Sequence, residues 1–588
     1  MQSTSELIRA AQSSLKKGDL HQAQNYCRQA LDTDTGNAAA LHLLGVIAFQ
    51  KGDTATAINH LKSAADNSNE NPEILYSYAS VLLETGRFSD ALKLFSAVCR
   101  LQPHNLHAMN KCAVILGTMG NLKQAKELCL LILSKNPFFT DAYINLGNIY
   151  KAQGFIDTAQ SYYLKALELN PSNNLAASNL LLCLNYTSND PEELFNRHLD
   201  YERRFSHLVK EKIKPPLKRD TKNKTINVGY ISGDFRVHSV GYFIEPIIEN
   251  HDADKFTIVC YADNPSSDEI TDRIKSHAST WRSIYNVGDK AVISMIQKDN
   301  IDILVDLAGH SGDNRLTLFL QKPAPIQVSY LGYPNTTGLS TMDYRLTDSF
   351  ADPERYDRFY TERLVRLPDC FLCYRPPDTA PEVHPTPALK NGFVTFGSFN
   401  NLSKINDYTI KVWADLLHAV PDSQLLLKSK PFADNDTLTR FRELFIQRGI
   451  PENRLQFKGH SYTQEDHLRE YNNIDIALDT FPYNGTATTF ESLLMGVPVI
   501  TLIGNRHAGR VGYSILSNLG KVELIASSAP EYITKAINIS KDVALLDRMR
   551  QNLRKTLLSS KLCDGKKFTK NLEDTFIDMY RNSQNKGN

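Results

Sequence analysis

Apolar positions in the first 170 or so residues recur at helical spacing, and the interruptions between them recur as well. Gly18, Gly52, Gly86, Gly120 and Gly154 stand 34 residues apart, each followed five positions later by an alanine (Ala23, Ala57, Ala91, Ala125, Ala159). Gly45, Ala79, Ala113 and Gly147 keep the same period, as do Pro103, Pro137 and Pro171. A period of this length built from two amphipathic stretches predicts a pair of antiparallel helices per repeat. The glycine closes the first helix where a positive φ is needed, the small residues let helices cross closely, and the prolines stop the second helix. Five such pairs are expected from about residue 4 to 171, the first of them incomplete. Helical patterns over 173–185 and 192–209 then cap the stack and lead out of it.

From residue 225 the texture changes to short apolar runs, INVGYIS (226–232), FTIVCYA (256–262), IDILVDLA (301–308) and IQVSYLG (326–332), separated by helical segments. After YRPPDTAPEVHPTPALKN (374–391) the pattern restarts with FVTFGSF (393–399), QLLLKSK (424–430), RLQFKGH (454–460), IDIALDT (474–480) and PVITLIG (498–504). Strands apolar on both faces and alternating with helices predict parallel sheets, here two doubly wound units in tandem. Their carboxyl-end crevices face each other, so a ligand between them is expected. The basic, proline-containing stretch KEKIKPPLKRDTKNK (210–224) reads as a linker, and 530–582 as terminal helices that pack back across the pair. The expected organisation is a repeat array over 1–172, capping helices and linker over 173–224, one α/β domain over 225–380 and a second over 381–588.

The repeat period resembles that of tetratricopeptide repeats, and AYINLGNIYKAQGFIDTAQSYYLKALELNP (142–171) follows their consensus nearly end to end. An open solenoid leaves a concave face free, suited to peptide segments of other proteins, with self-association as a homodimer or service as a rigid spacer as the alternative uses.

Composition narrows the partners more than the fold. The 588 residues are 42% hydrophobic and 22% charged, and 66 basic against 65 acidic residues give a net charge of +1. Bulk charge therefore draws the chain neither to nucleic acid nor to anionic membranes, and an anionic ligand has to be held locally. No apolar run reaches the ~18 residues of a membrane span, and the first ten residues lack a signal-like apolar core, so a cytoplasmic protein is expected. The nine cysteines form no disulfide framework, and Cys370 and Cys373 read as two half-buried thiols beside a strand rather than as a metal site.

Candidate chemistry concentrates in DTFPYNGTATTFESLLMGVPVITL (479–502), where a strand ends, a loop carries Asn484, Gly485 and Thr486, and a helix begins near Thr488. Backbone N–H groups at the helix start and the hydroxyls of Thr486, Thr488 and Thr489 can hold a diphosphate, with Glu491 one turn inside. Plain helix capping is the competing reading. In FGSFNNLSKIND (396–407), Lys404 follows a strand and can face the same crevice, its ammonium offsetting charge on a leaving diphosphate without a metal. In the first unit GYISGDFRVHSVGYF (229–243) places His238 just past a strand end, where an imidazole can orient or accept a hydroxyl proton. Asp306 and His310, in IDILVDLAGHSGDNRL (301–316), form a second candidate pair at the crevice edge. His467 sits on a predicted helix near the second unit's mouth.

Glu491 followed by GVPV resembles the acidic-residue-to-GxP signature of GT-B glycosyltransferases, whose carboxylate handles the donor ribose. The repeats together with GYISGDFRVHSV, PAPIQVSYLGYPNTTG, RLPDCFLCY, FGSFNNLSKI and LDTFPYNGT resemble glycosyltransferase family 41 over nearly the whole chain. That resemblance implies an α-solenoid of TPRs followed by a GT-B fold of two Rossmann-like domains. It implies an inverting, metal-independent transfer of one sugar from a nucleotide sugar to Ser or Thr of proteins that the TPR groove recruits. Carried over by motif, Lys404 matches the family's lysine that supports the leaving diphosphate, and His238 the histidine near sugar and acceptor. His467 and the stretch Thr486 to Glu491 match donor-nucleotide positions. Asp306 and His310 fall in a segment that contributes acid–base or positioning groups. The connector between the α/β units is short, as in bacterial members and in Spindly-type ones, and Thr486 stands where animal members carry a histidine. UDP-GlcNAc is the leading donor and GDP-fucose the alternative. Two other readings remain: a scaffold with a degenerate transferase, and a transferase acting on a glycan or lipid carrier.

Overall fold

In the computed structural model, the five glycines of the 34-residue register all take a positive φ, from 74° at Gly86 to 89° at Gly120. The structure describes residues 3–209, 225–461 and 463–585. It divides into two units, 1–149 and 150–588, with the division inside the helix Thr140–Ala152.

The first unit is a run of helix pairs: Thr4–Lys16 with Leu20–Thr33, Ala38–Gln50 with Thr54–Asp66, Pro72–Glu84 with Phe88–Leu101, and Leu106–Met119 with Leu122–Lys135. The first pair, expected to be incomplete, is whole. Its opening helix has a full capping box, Ser3 Oγ accepting from Glu6 N while Glu6 Oε2 accepts from Ser3 N at 2.8 Å. Ala23, Ala57, Ala91 and Ala125 are fully buried, as the helix-crossing argument requires. At Gly45 an added Cβ would lie 2.5 Å from Leu61 Cγ, so only glycine permits that crossing.

The second unit begins earlier than residue 173. The helix Ile156–Leu169 and the capping helices Asn174–Thr187 and Pro191–Phe205 belong to it. Ser403 Oγ donates to Lys151 O (2.9 Å), Gln153 Nε2 donates to Asp434 and Thr437 (3.1 and 3.0 Å), and the Arg440 guanidinium lies 3.8 Å from the Phe155 ring centre. The basic linker 210–224 lies outside the described residues.

Two parallel sheets follow. The first comprises β1 (Ile226–Ser232), β2 (Phe256–Ala262), β3 (Thr280–Ser283), β4 (Ile303–Asp306), β5 (Ile326–Ser329), β6 (Tyr344–Asp348) and β7 (Arg363–Leu367), in the order β3-β2-β1-β4-β5-β6-β7. The second comprises β8 (Thr395–Ser398), β9 (Gln424–Lys428), β10 (Leu455–Lys458), β11 (Ile476–Leu478), β12 (Val499–Leu502) and β13 (Ile525–Ala526), in the order β10-β9-β8-β11-β12-β13. Strand order reverses beside β1 and β4, paired Val228 to Ile303, and beside β8 and β11, paired Phe396 to Ile476. These are the switch points where crevices open in doubly wound sheets.

One hydrophobic core runs through both halves. Phe243 of the first meets Phe490 of the second at 5.3 Å between ring centres, and Tyr374 of the connector stacks on Phe490 at 4.9 Å. Cys370 and Cys373 are not half-buried but lie wholly within this core. The final helix, Gly565–Asn585, does not stay with the second half: Glu573 accepts from the backbone N–H of Asp252 (2.7 Å) and pairs with His251 (3.1 Å). Among the described residues no helix is long and apolar enough to cross a membrane.

Candidate active site

The loop leaving β11 is tied to one carboxylate. Asp479 Oδ1 accepts from the N–H groups of Thr480 (2.9 Å) and Gly485 (2.6 Å), and Oδ2 accepts from Thr501 Oγ1 (2.6 Å). Burial raises its pKa to about 6, against the pull of these bonds and of Lys404. The turn carries the chain into the helix Ala487–Leu494. Its N-cap residue Thr486 makes no side-chain cap, and among the described residues the N–H groups of Thr486, Ala487 and Thr488 make no hydrogen bond. Three donors and the positive end of a helix dipole are thus left for an anion. Gly485 is required here, since a Cβ would stand 2.4 Å from Thr488 Oγ1.

Lys404 reaches this place from the short turn Leu402–Lys404 after β8. Its Nζ donates to Asn484 O at 2.7 Å and lies 4.1 Å from the centre of the Tyr483 ring. Burial lowers its pKa to about 8, and Asp479 works in the opposite direction. Asn400, from the same loop, accepts from Thr488 Oγ1 (3.0 Å) and so locks the lysine loop to the helix start.

One turn inside the helix, Glu491 is 8% exposed and accepts from Tyr471 Oη (3.0 Å) while His467 Nε2 lies 3.1 Å away. His467 Nδ1 meets Lys428 Nζ. With Nδ1 accepting from the ammonium, Nε2 carries the proton toward Glu491. Burial alone would raise the Glu491 pKa, but His467, Tyr471 and Lys428 outweigh it and hold the group below its ordinary value. The carboxylate is charged and fixed.

His238 stands across from these residues, at the N-cap of the helix Ser239–Glu249. Its Nδ1 accepts from Val240 N (3.3 Å) and lies 3.4 Å from Asp234 Oδ2, while the side chain remains 41% exposed. Enclosure lowers its pKa, opposed by Asp234. Beside it the turn after β5 is strained at Leu331, whose φ is +62°. The next residue, Gly332, is pressed against the first sheet so closely that a Cβ would meet Leu307 O at 2.0 Å.

These groups surround one cavity of about 360 Å³ lined by His238, Leu331, Gly332, Lys404, His467, Thr486, Thr488 and Glu491, with Tyr186, Phe371, Asn400, Tyr483 and His507. Six of the residues singled out in the sequence therefore share it. The other five do not line it. Asn484, Gly485 and Thr489 form the turn behind it, Asn484 N donating to Ala508 O and Thr489 Oγ1 to Gly485 O. Asp306 and His310 are corrected from cavity groups to structural ones. Asp306 is buried, accepts from the N–H groups of Ala308 (3.1 Å) and Gly309 (2.8 Å), and burial raises its pKa to about 6. His310 is held between Ser178 Oγ (3.1 Å) and Thr337 O (2.8 Å), packed on Tyr201 and Tyr333, and burial drives its pKa far down. Asp306 holds the turn that follows β4, and His310 joins that turn to the capping helix Asn174–Thr187.

Sequence reasoning missed Asp479, Asn400, Tyr483 and His507. Asn400, Asp479 and Tyr483 lay inside motifs already singled out, but nothing local distinguishes a turn-holding aspartate from a catalytic one. His507, in IGNRHAGRVGY, carried no motif signal.

Residues 195–375 and 385–572, taking in both sheets and the cavity, match glycosyl transferase family 41. The chain belongs to that family. Residues 8–72, 48–108 and 140–173 match tetratricopeptide repeats. Among similar proteins, a probable UDP-N-acetylglucosamine–peptide N-acetylglucosaminyltransferase SPINDLY of Petunia hybrida is 43% identical over 420 residues, 71% of this chain and 45% of that one. The SPINDLY protein of Arabidopsis thaliana is 42% identical over 70% of this chain and 46% of its own length. The match thus spans less than half the length of these plant relatives. A mutant O-GlcNAc transferase of Thermobaculum terrenum superposes with a TM-score of 0.83 at 35% identity, covering 88% of this chain and 98% of that one. The family 41 region of this chain is thereby set on a solved fold of the same kind.

Proposed function

We propose that the protein is an inverting, metal-independent glycosyltransferase that moves one N-acetylglucosamine from UDP-GlcNAc to Ser and Thr hydroxyls of other proteins. The observation that carries this reading is the meeting of a buried lysine and an uncapped helix start on one cavity. When the bond between sugar C1 and the β-phosphate oxygen breaks, the electron pair stays on the diphosphate. The Lys404 ammonium and the free N–H groups of 486–488 lie where that charge develops, the role a divalent cation plays in other transferases. Glu491, ionised and oriented by His467 and Tyr471, suits the ribose hydroxyls of the same donor. Among the described residues lining the cavity it is the only carboxylate; His467 and Tyr471 both bond its Oε2, and the ribose takes up the rest of it. A double displacement needs a nucleophile at the sugar; without one, the acceptor oxygen attacks C1 directly and the configuration inverts. The acceptor enters from the side of His238, the exposed imidazole of the cavity. The names of the plant relatives support a peptide acceptor and UDP-GlcNAc as donor, and the repeats supply a surface for recruiting proteins.

The test is calorimetric titration with UDP, UDP-GlcNAc and GDP-fucose, followed by incubation of labelled donor with a cell lysate. UDP-GlcNAc binding and label in protein bands are expected. Binding of GDP-fucose alone would overturn the donor while keeping the reaction class. Label confined to lipid would overturn the acceptor, and no affinity for any nucleoside diphosphate would overturn the whole reading.

A further inference from the structure

Once the groups above are assigned to diphosphate, ribose and acceptor, one part of the cavity has no assigned occupant. Its walls are Leu331, Gly332, Phe371, Tyr186 and Tyr483, and among the described residues the hydrogen-bonding side chains left there are the two phenols and His507, the one imidazole. His507 stands on the Lys404 side, because the carbonyl of the next residue, Ala508, accepts from Asn484 N, and Asn484 O in turn accepts from Lys404 Nζ. This is the end at which a sugar attached to the diphosphate would lie.

The imidazole is held with care. Its Nδ1 lies 2.6 Å from Asp352 Oδ2, and its ring meets Phe371 edge to face at 4.9 Å between ring centres. Asp352 is fully buried and accepts as well from Thr347 Oγ1 (2.5 Å) and Tyr360 Oη (2.8 Å). Burial opposes its charge, but His507 and Arg345 outweigh that and hold the carboxyl below its usual range. An ionised carboxylate only accepts, so Nδ1 carries the proton. Nε2 makes no hydrogen bond among the described residues and, with Nδ1 turned to Asp352, is the ring nitrogen left free at a residue that lines the cavity. Asp352 does not line the cavity, so it acts through the imidazole.

We infer that His507, positioned by Asp352, is the residue that reads the transferred sugar, by a hydrogen bond between Nε2 and one of the sugar's hydroxyl groups. This rests on the cavity being a nucleotide-sugar site. A hydroxyl both donates and accepts, so it matches Nε2 in either protonation state. The walls offer only the phenols of Tyr186 and Tyr483 besides, so a sugar hydroxyl set against His507 would lose its hydration with little compensation once the imidazole is gone. The contact therefore discriminates between sugars, whereas Lys404 and the helix start respond only to the diphosphate.

The experiment compares affinities for a nucleoside diphosphate and for its sugar conjugate, UDP against UDP-GlcNAc and GDP against GDP-fucose, in the full chain. His507→Ala should weaken binding of the conjugate on the order of 10- to 100-fold and leave the bare diphosphate within about twofold. Asp352→Asn should move the same ratio in the same direction by less, and His507→Gln should restore part of it. A merely structural residue would shift both ligands together; an equal loss, or no loss, overturns the inference. If His507→Ala does not fold, the Gln and Asp352→Asn ratios decide on the same terms. Wild-type protein that binds no nucleoside diphosphate fails the donor-site reading and this inference with it. Wild type that binds both ligands while the variants keep its ratio fails this inference alone.

Discussion

In the proposed function Lys404 works through a charge that burial disfavours. Burial brings its pKa down to about 8, and the Asn484 carbonyl and Tyr483 ring hold the ammonium in place without neutralising it. In the proposed function an arriving diphosphate adds its negative charge to that of Asp479, which favours the protonated form and raises the pKa again. The expected pH dependence follows in sign. The working form is protonated, so kcat/KM for the donor falls as pH rises through about 8, the value in the free protein, while the alkaline limb of kcat lies at higher pH. Pre-steady-state and steady-state pH profiles check this. Lys404→Ala should lower kcat/KM on the order of 10²–10³-fold, and Lys404→Arg should not restore it, because a planar fork does not replace a point donor against a single carbonyl and a ring face.

At the scale of elements, the helix Ala487–Leu494 is useful because the turn before it leaves its first N–H groups unpaired. Gly485→Ala tests that geometry. The new methyl would stand 2.4 Å from Thr488 Oγ1 and 3.0 Å from Asn400 Oδ1, pushing apart the helix start and the lysine loop. A loss of about 1–3 kcal/mol in stability is expected, read by thermal unfolding, with weakened UDP binding in the same protein. This helix and its loop were legible in the sequence because a strand, a glycine turn and a threonine-rich start are contiguous there. The nine strands β1, β2, β4, β5, β8, β9, β10, β11 and β12 were legible for a related reason, each lying within a short apolar run. The strands β3, β6 and β7 were not, since TWRS, YRLTD and RLVRL carry charged residues at sheet positions. Arg345 shows why that signal misleads: it is buried on β6, its guanidinium donating to Tyr333 O (2.8 Å) and Asn335 O (2.9 Å). Asp306 and His310 failed in the same way. A polar side chain after a strand reads as chemistry until the backbone groups it satisfies are known, and those come from distant segments, as Thr337 does for His310.

For the whole molecule, the cavity draws every lining residue from 186 to 511, inside the second unit. A protein beginning at Phe139 is therefore expected to bind UDP within about twofold of the full chain. If the repeats recruit acceptors as proposed, its labelling of lysate proteins should drop on the order of tenfold or more, because all the repeat helices before Thr140 are gone. Titration and gel labelling of the two proteins side by side separate these effects. The last helix sets a further condition on how the molecule is made. Tyr230 on β1 bonds to His251 (2.9 Å), and His251 waits for Glu573, some 340 residues downstream of that strand. A ribosome releasing the chain in order leaves the first sheet with an uncovered flank until Glu573 has emerged. A stop codon ahead of Glu573 would thus damage the half of the molecule that emerged first, and until that helix is made chaperones would meet the first sheet as an incomplete intermediate.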